Sequence, residues 1–179
     1  MTARGDDESA HLGTREFEAL YTRLEKPVFN VVYRWLWNTE EARDVTQEAF
    51  MKVWGARRRV VLETVEPLVF RSALNLAANR LRGRKLRRFF SLESAGHEVD
   101  PRANPHASLE VQERRATVRK AIEALPEKLR SVVVLCELSG LSTQQIADTL
   151  HIPAGTVSSR RSLAMAALEK SLGALEVTS

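Results

Sequence analysis

Residues 137–172, ELSGLSTQQIADTLHIPAGTVSSRRSLAMAALEKSL, carry the densest local instruction in the chain. Ser142 followed by Gln145 is a capping box, in which hydroxyl and amide satisfy each other's free backbone donors. Ile146, Ala147 and Leu150 then form the apolar side of a short helix. His151-Ile152 supplies a tight turn, and Pro153 suits the opening of the next helix. Val157, Ala164 and Leu168 continue the apolar stripe. Short helix, tight turn and longer helix make a helix-turn-helix. The second helix of such a unit enters the major groove, with its leading residues at base edges. Here those residues are Ala154, Thr156, Ser158, Ser159, Arg160 and Arg161. Arginine grips guanine or phosphate, and hydroxyls reach phosphate or base edges. A plain three- or four-helix bundle with a solvated Ser/Arg face is the competing reading. The coincidence of cap, small turn and polar leading face argues against it.

Upstream, Leu129, Val132, Val133 and Cys136 repeat at i, i+3, i+4 and i+7, which makes Cys136 a core thiol. Before that, FFSLESAGHEVDPRANPHASL (89–109) holds two prolines and a glycine and little periodicity, the composition of a linker. The expected organisation is all-α: a loose amino terminus (1–12), a helical domain (13–88), a flexible linker (89–109), a second helical domain (110–173) and a short tail (174–179).

Two segments of the first domain carry surface chemistry. In PLVFRSALNLAANRLRGRKLRR (67–88), Phe70, Leu74, Ala77 and Leu81 form one stripe, and Arg71, Asn75, Asn79 and Arg82 form another. Amides and guanidinia on one face can read base edges or stack on opened bases. The following Arg84, Lys85, Arg87 and Arg88 suit the phosphate backbone. In EARDVTQEAFMKVW (41–54), Ala42, Val45, Ala49 and Val53 make an ordinary buried stripe. Its far side carries Asp44, Gln47, Glu48 and Met51, with Phe50 and Trp54 along the edge. Acid, amide and large apolar groups together suit a basic protein partner better than phosphate. A solvated helix face is the bland alternative. Pro27, within the apolar pattern of residues 16–37, predicts a break or kink.

Composition narrows the function classes. The chain has 179 residues, 44% apolar and 28% charged, with a formal net charge of +4. The charge is uneven: from Arg80 to Arg88 stand six cations and no anion, and Arg57-Arg58-Arg59 forms a second cluster. Cys136 is the only cysteine, so an intramolecular disulfide is impossible. No apolar run reaches the length of a membrane span or a secretory signal, and the chain is read as cytoplasmic. The four histidines have no zinc-like spacing. No glycine-rich phosphate loop or nucleophile–base arrangement appears. The expectation is a non-enzyme without metal or cofactor.

The order of these blocks resembles the extracytoplasmic-function (ECF) class of bacterial sigma factors, from about Phe17 to Leu172. EARDVTQEAFMKVW resembles the polymerase-binding helix of region 2, and PLVFRSALNLAANRLRGRKLRR resembles the −10-reading helix of the same region. LPEKLRSVVVLCELSGLSTQQIADTLHIPAGTVSSR (125–160) resembles region 4, including Leu125-Pro126, Gly140-Leu141-Ser142, Ile146-Ala147 and Gly155-Thr156-Val157. The resemblance implies a subunit that binds core RNA polymerase at the β′ clamp helices and β flap. It would open the −10 element and bind the −35 element as duplex. The implied polymerase-binding residues are Asp44, Gln47, Glu48, Phe50, Met51 and Trp54. Those for −10 are Arg71, Asn75, Asn79, Arg82, Lys85, Arg87 and Arg88; those for −35 are Thr156, Ser158, Ser159, Arg160 and Arg161. Many relatives are controlled by an anti-sigma factor, so one is an implied partner.

The chain departs from the family pattern at Arg43 (commonly Glu), Leu68 (commonly Trp), Leu74 (commonly Arg) and Asn79 (commonly Asp). Ser158, Leu163 and Met165 occupy commonly basic positions. GARRRVVLETVE (55–66) should hold the base-capturing loop. Two other readings remain: a helix-turn-helix regulator with an amino-terminal sensor or dimerisation domain, and an anti-sigma-type antagonist.

Overall fold

The computed structural model describes residues 12–90 and 109–176, with the side chains of 88–90, 109 and 174–176 left aside. The described residues form helices and connecting turns without a β-strand. Most of the expected loose amino terminus and linker, with His11, His97 and His106, lies outside the described residues, as do residues 177–179.

The first unit is a three-helix bundle of α1 (Thr14–Leu36), α2 (Thr39–Gly55) and α3 (Val65–Phe90). Leu12, expected in a loose segment, is buried in its core. Helix α1 runs through Pro27 as one element, so the expected break does not occur. Proline removes one backbone donor, and the long apolar stripe on both sides of it holds the helix together. Trp37 ends α1 in the left-handed region at φ 52°, and its N–H donates to the Tyr33 carbonyl. Asn38 then caps α2, its Oδ1 accepting from the Glu41 N–H at 2.8 Å. Two short 3₁₀ turns, Arg57–Arg59 and Leu62–Thr64, carry the chain to α3. The core contains Val28, Val32, Val45, Val53, Val69 and Phe70, all essentially inaccessible to solvent.

The second unit comprises α4 (Leu109–Ala124), α5 (Glu127–Leu138), α6 (Thr143–Leu150) and α7 (Ala154–Glu176). The capping box is formed as expected: the Gln145 N–H donates to Ser142 Oγ at 3.2 Å, and the Ser142 N–H donates to Gln145 Oε1 at 2.9 Å. The α5–α6 turn needs Gly140, whose φ of +74° suits glycine. Ser139 braces the same turn, donating to the Leu135 carbonyl and accepting from the Leu141 N–H. His151 makes the α6–α7 turn in the left-handed region at φ 52°. Val132, Leu135, Ile146, Ala147, Val157 and Ala164 form the buried centre. Cys136 is half-buried against them, and burial pushes its thiol pKa up, as a core position requires.

The units are not separate beads. Helix α6 lies against α3, and α4 and α5 lie against α1. Trp35 and Trp37 are buried, with the Arg130 and Arg119 guanidinia 5.3 and 5.5 Å from the respective ring centres. Burial lowers the Arg130 pKa, against the opposing pull of Glu123 and Glu127. Arg71 of α3 touches the His151 ring across the same junction.

Candidate functional site

Three surfaces carry the chemistry expected from the sequence. On α2, Ala42, Val45, Ala49 and Val53 are fully buried, which turns Asp44, Gln47 and Met51 outward. Met51 stands 57% exposed at the middle of that face. Glu48, at its edge, pairs with Lys52 at 3.4 Å and with Arg80 of α3 at 3.7 Å. Trp54 is partly exposed: its ring meets Phe17 at 4.8 Å, and Arg57 lies 4.2 Å over it while donating to the Trp54 carbonyl.

Phe50 must be corrected. It is 1% exposed, edge-on to Phe17 at 6.2 Å and 4.8 Å from the Tyr21 ring. The buried arc of α2 is wider than the four-residue stripe: Thr46 also lies inside, its hydroxyl donating to the Ala42 carbonyl. Phe50 comes next round the helix and fills the space between α1 and α2, so it supports the outer face from within.

On α3, Asn75, Asn79 and Arg82 share one exposed strip. Arg82 donates to Asn79 Oδ1 at 2.8 Å, so the pair presents one joined polar surface. Lys85 and Arg87 extend it toward the helix end; the Arg88 side chain lies outside the described residues. Arg71 is set apart, partly buried against His151. Arg84, read as a phosphate contact, turns inward instead. It donates to the Leu36 carbonyl at 2.9 Å and pairs with Glu41 at 3.5 Å, tying α3 to the α1–α2 turn.

On α7, Val157 and Ala164 mark the inward line. Ser158 and Ser159 face solvent, while Thr156 and Arg160 are partly covered. Arg161 is exposed but aimed at α5: its Nε and Nη2 both donate to Glu137 Oε1, at 3.1 and 2.8 Å. The Glu137 hydrogen bond and negative charge push the Arg161 pKa up. It lies within about 60° of the buried line, which explains the turn toward α5. Ser162 and Leu163 lie beside Ser158 and Ser159 on the outward side; Leu163 was singled out from sequence as a departure from a commonly basic position, and Ser162 was not singled out. Their phase opposite Val157, Ala164 and Leu168 was the available signal.

Among the described residues no cluster of metal-ligating side chains occurs, and no helix is long and apolar enough to cross a membrane.

Comparison with known proteins gives the same division. Residues 20–87 match Sigma-70 region 2, and residues 115–168 match Sigma-70 region 4. The RNA polymerase sigma-H factor of Pseudomonas aeruginosa is 31% identical over 88% of this chain and 86% of its own. The ECF sigma factor SigW of Bacillus subtilis is 31% identical over 81% of this chain and 82% of its own. The ECF sigma-E factor of Escherichia coli is 33% identical over 82% and 81%. Among solved structures, the sigma factor RpoE of Bartonella quintana, in complex with the anti-sigma factor NepR, superposes with a TM-score of 0.71 at 20% identity, over 89% of this chain and 98% of that one. CnrH, in complex with the cytosolic domain of CnrY, gives 0.67 at 22% over 90% of each. With both regions matched in order and relatives alike along most of their length, this chain belongs to the ECF RNA polymerase sigma factors.

Proposed function

We propose how this sigma factor divides its work among the three faces. Sigma factors bind core RNA polymerase and promoter DNA and give transcription initiation its promoter specificity. In this chain the outer side of α2, with Asp44, Gln47, Glu48, Met51 and Trp54, docks on polymerase. Acid and amide groups there disfavour phosphate and suit a basic partner, while Met51 and Trp54 supply apolar contact. The Asn75–Asn79–Arg82 strip of α3, with Lys85, Arg87 and Arg88, holds the −10 element. Unstacking a base costs a few kcal/mol, offset by stacking and by phosphate neutralisation. The leading part of α7 enters the −35 duplex. The chain makes and breaks no bonds and works wherever its polymerase does.

The observation that carries this reading is the outer face of α2: acid, amide and exposed Met51 occupy a side the fold itself does not use. Arg71 joins the −10 face only when α6 moves off α3, so DNA engagement and separation of the two units go together. The complex of the structural neighbour RpoE with the anti-sigma factor NepR supports a similar controlling partner here. Transcription from a pool of genomic promoters by core polymerase, with and without the chain, tests the whole reading. New promoter-specific transcripts are expected. Failure to bind core, with no gain on any promoter, would overturn it.

A further inference from the structure

The outward side of α7 is unusual for a surface that holds DNA. Ser158, Ser159, Ser162 and Leu163 all lie about 100° or more from the buried line through Val157 and Ala164. None is a cation. Each serine hydroxyl is already used within the helix: Ser158 donates to the Ala154 carbonyl at 3.5 Å, Ser159 to Thr156 at 3.2 Å and Ser162 to Ser158 at 3.2 Å. A hydroxyl whose proton is spent offers only lone pairs outward, so it accepts from base amino groups and does little for phosphate. Arg161 is forked onto Glu137, which leaves the partly covered Arg160 as the cation beside this face. Amid these serines Leu163 is 61% exposed, more than any other large apolar side chain among the described residues.

In the major groove the apolar group on a base-pair edge is the C5-methyl of thymine. We propose that Leu163 is a specificity-determining residue of α7, reading one thymine methyl in the −35 element. This rests on the assignment of α7 to duplex DNA. Discrimination at that position then comes from apolar fit beside hydroxyl acceptors, with Arg160 the neighbouring cation.

The test uses holoenzyme reconstituted from core polymerase and the full chain, on a promoter it transcribes. Each thymine of the −35 element is replaced in turn by deoxyuridine, which removes the methyl and keeps the pairing. At one position the wild-type chain should lose about fourfold in promoter affinity, the worth of one buried methyl. Leu163→Ala should lose a similar factor on the thymine template and no longer distinguish thymine from uracil there. Leu163→Met, close in volume, should retain the distinction. An unchanged melting curve for Leu163→Ala would separate the effect from folding. Insensitivity to uracil at every position would overturn the proposal. So would undiminished discrimination by Leu163→Ala, or equal losses on both templates, which would place Leu163 against polymerase. Failure to find any promoter that the holoenzyme transcribes would instead overturn the proposed function on which this inference rests.

Discussion

The two units of this sigma factor solve the same problem, burying a helix bundle while leaving surface for partners, with different materials. All eleven aromatic residues lie at or before Phe90; the chain from residue 91 onward has none. The first unit fills its interior with large rings such as Phe29, Tyr33, Trp35, Phe50 and Phe70. The second does so with Val132, Leu135, Ile146, Val157 and Ala164, and sets its geometry through turns and caps. Volume secures the first unit, and backbone punctuation secures the second. The difference fits the proposed tasks: one presents a broad surface to polymerase and to opened DNA, the other a slim helix to a groove.

The largest test of that contrast is Phe50→Ala. It should destabilise the first unit by about 3–5 kcal/mol through a cavity between α1 and α2. Tryptophan fluorescence during denaturant unfolding reports it, since Trp35, Trp37 and Trp54 all belong to that unit. A cost below about 1 kcal/mol would return Phe50 to the surface. Next comes the double variant Asp44→Ala with Gln47→Ala, expected to weaken core-polymerase binding about tenfold with an unchanged melting curve, on the scale of two interface contacts. Wild-type affinity for core would remove α2 from the interface. Ser142→Ala should cost about 1 kcal/mol in the second unit by opening one end of the capping box, read by helical circular dichroism during unfolding. The smallest effects compare cations in the two DNA faces. Arg82→Ala should reduce the salt dependence of promoter binding by about one ion. Arg161→Ala should change it less, because Glu137 already neutralises that guanidinium. Equal slopes for the two variants would erase the distinction.

Much of this was legible in the sequence because it is written locally. Ser142 and Gln145, Gly140 and the Val157–Ala164 line each act within a few residues, and each stands where its pattern indicates. The outward Asp44, Gln47 and Met51 followed from helical phase alone. Phe50 did not, because the small residues of its stripe hid how far the buried arc extends. Arg161 and Arg84 looked like phosphate contacts because a sequence shows charge but not the distant carboxylate or carbonyl that occupies it. The Arg71–His151 contact joins residues eighty positions apart and has no local signature.

The ion pair between Glu48 and Arg80 links two of the proposed binding faces. Glu48 lies on the α2 face proposed for polymerase, and Arg80 rises from α3 beside the strip proposed for the −10 element. If polymerase draws Glu48 away, Arg80 is released toward phosphate; if DNA takes Arg80 first, Glu48 keeps only Lys52 as a partner and is more open to polymerase. Thermodynamic reciprocity makes the two effects equal in size. Both side chains are more than 40% exposed, so the coupling is limited to about a fivefold change in either affinity, the reach of a solvent-screened pair. Such a coupling would let docking on the enzyme and grip on the promoter strengthen each other through the first unit alone, whatever the second unit does.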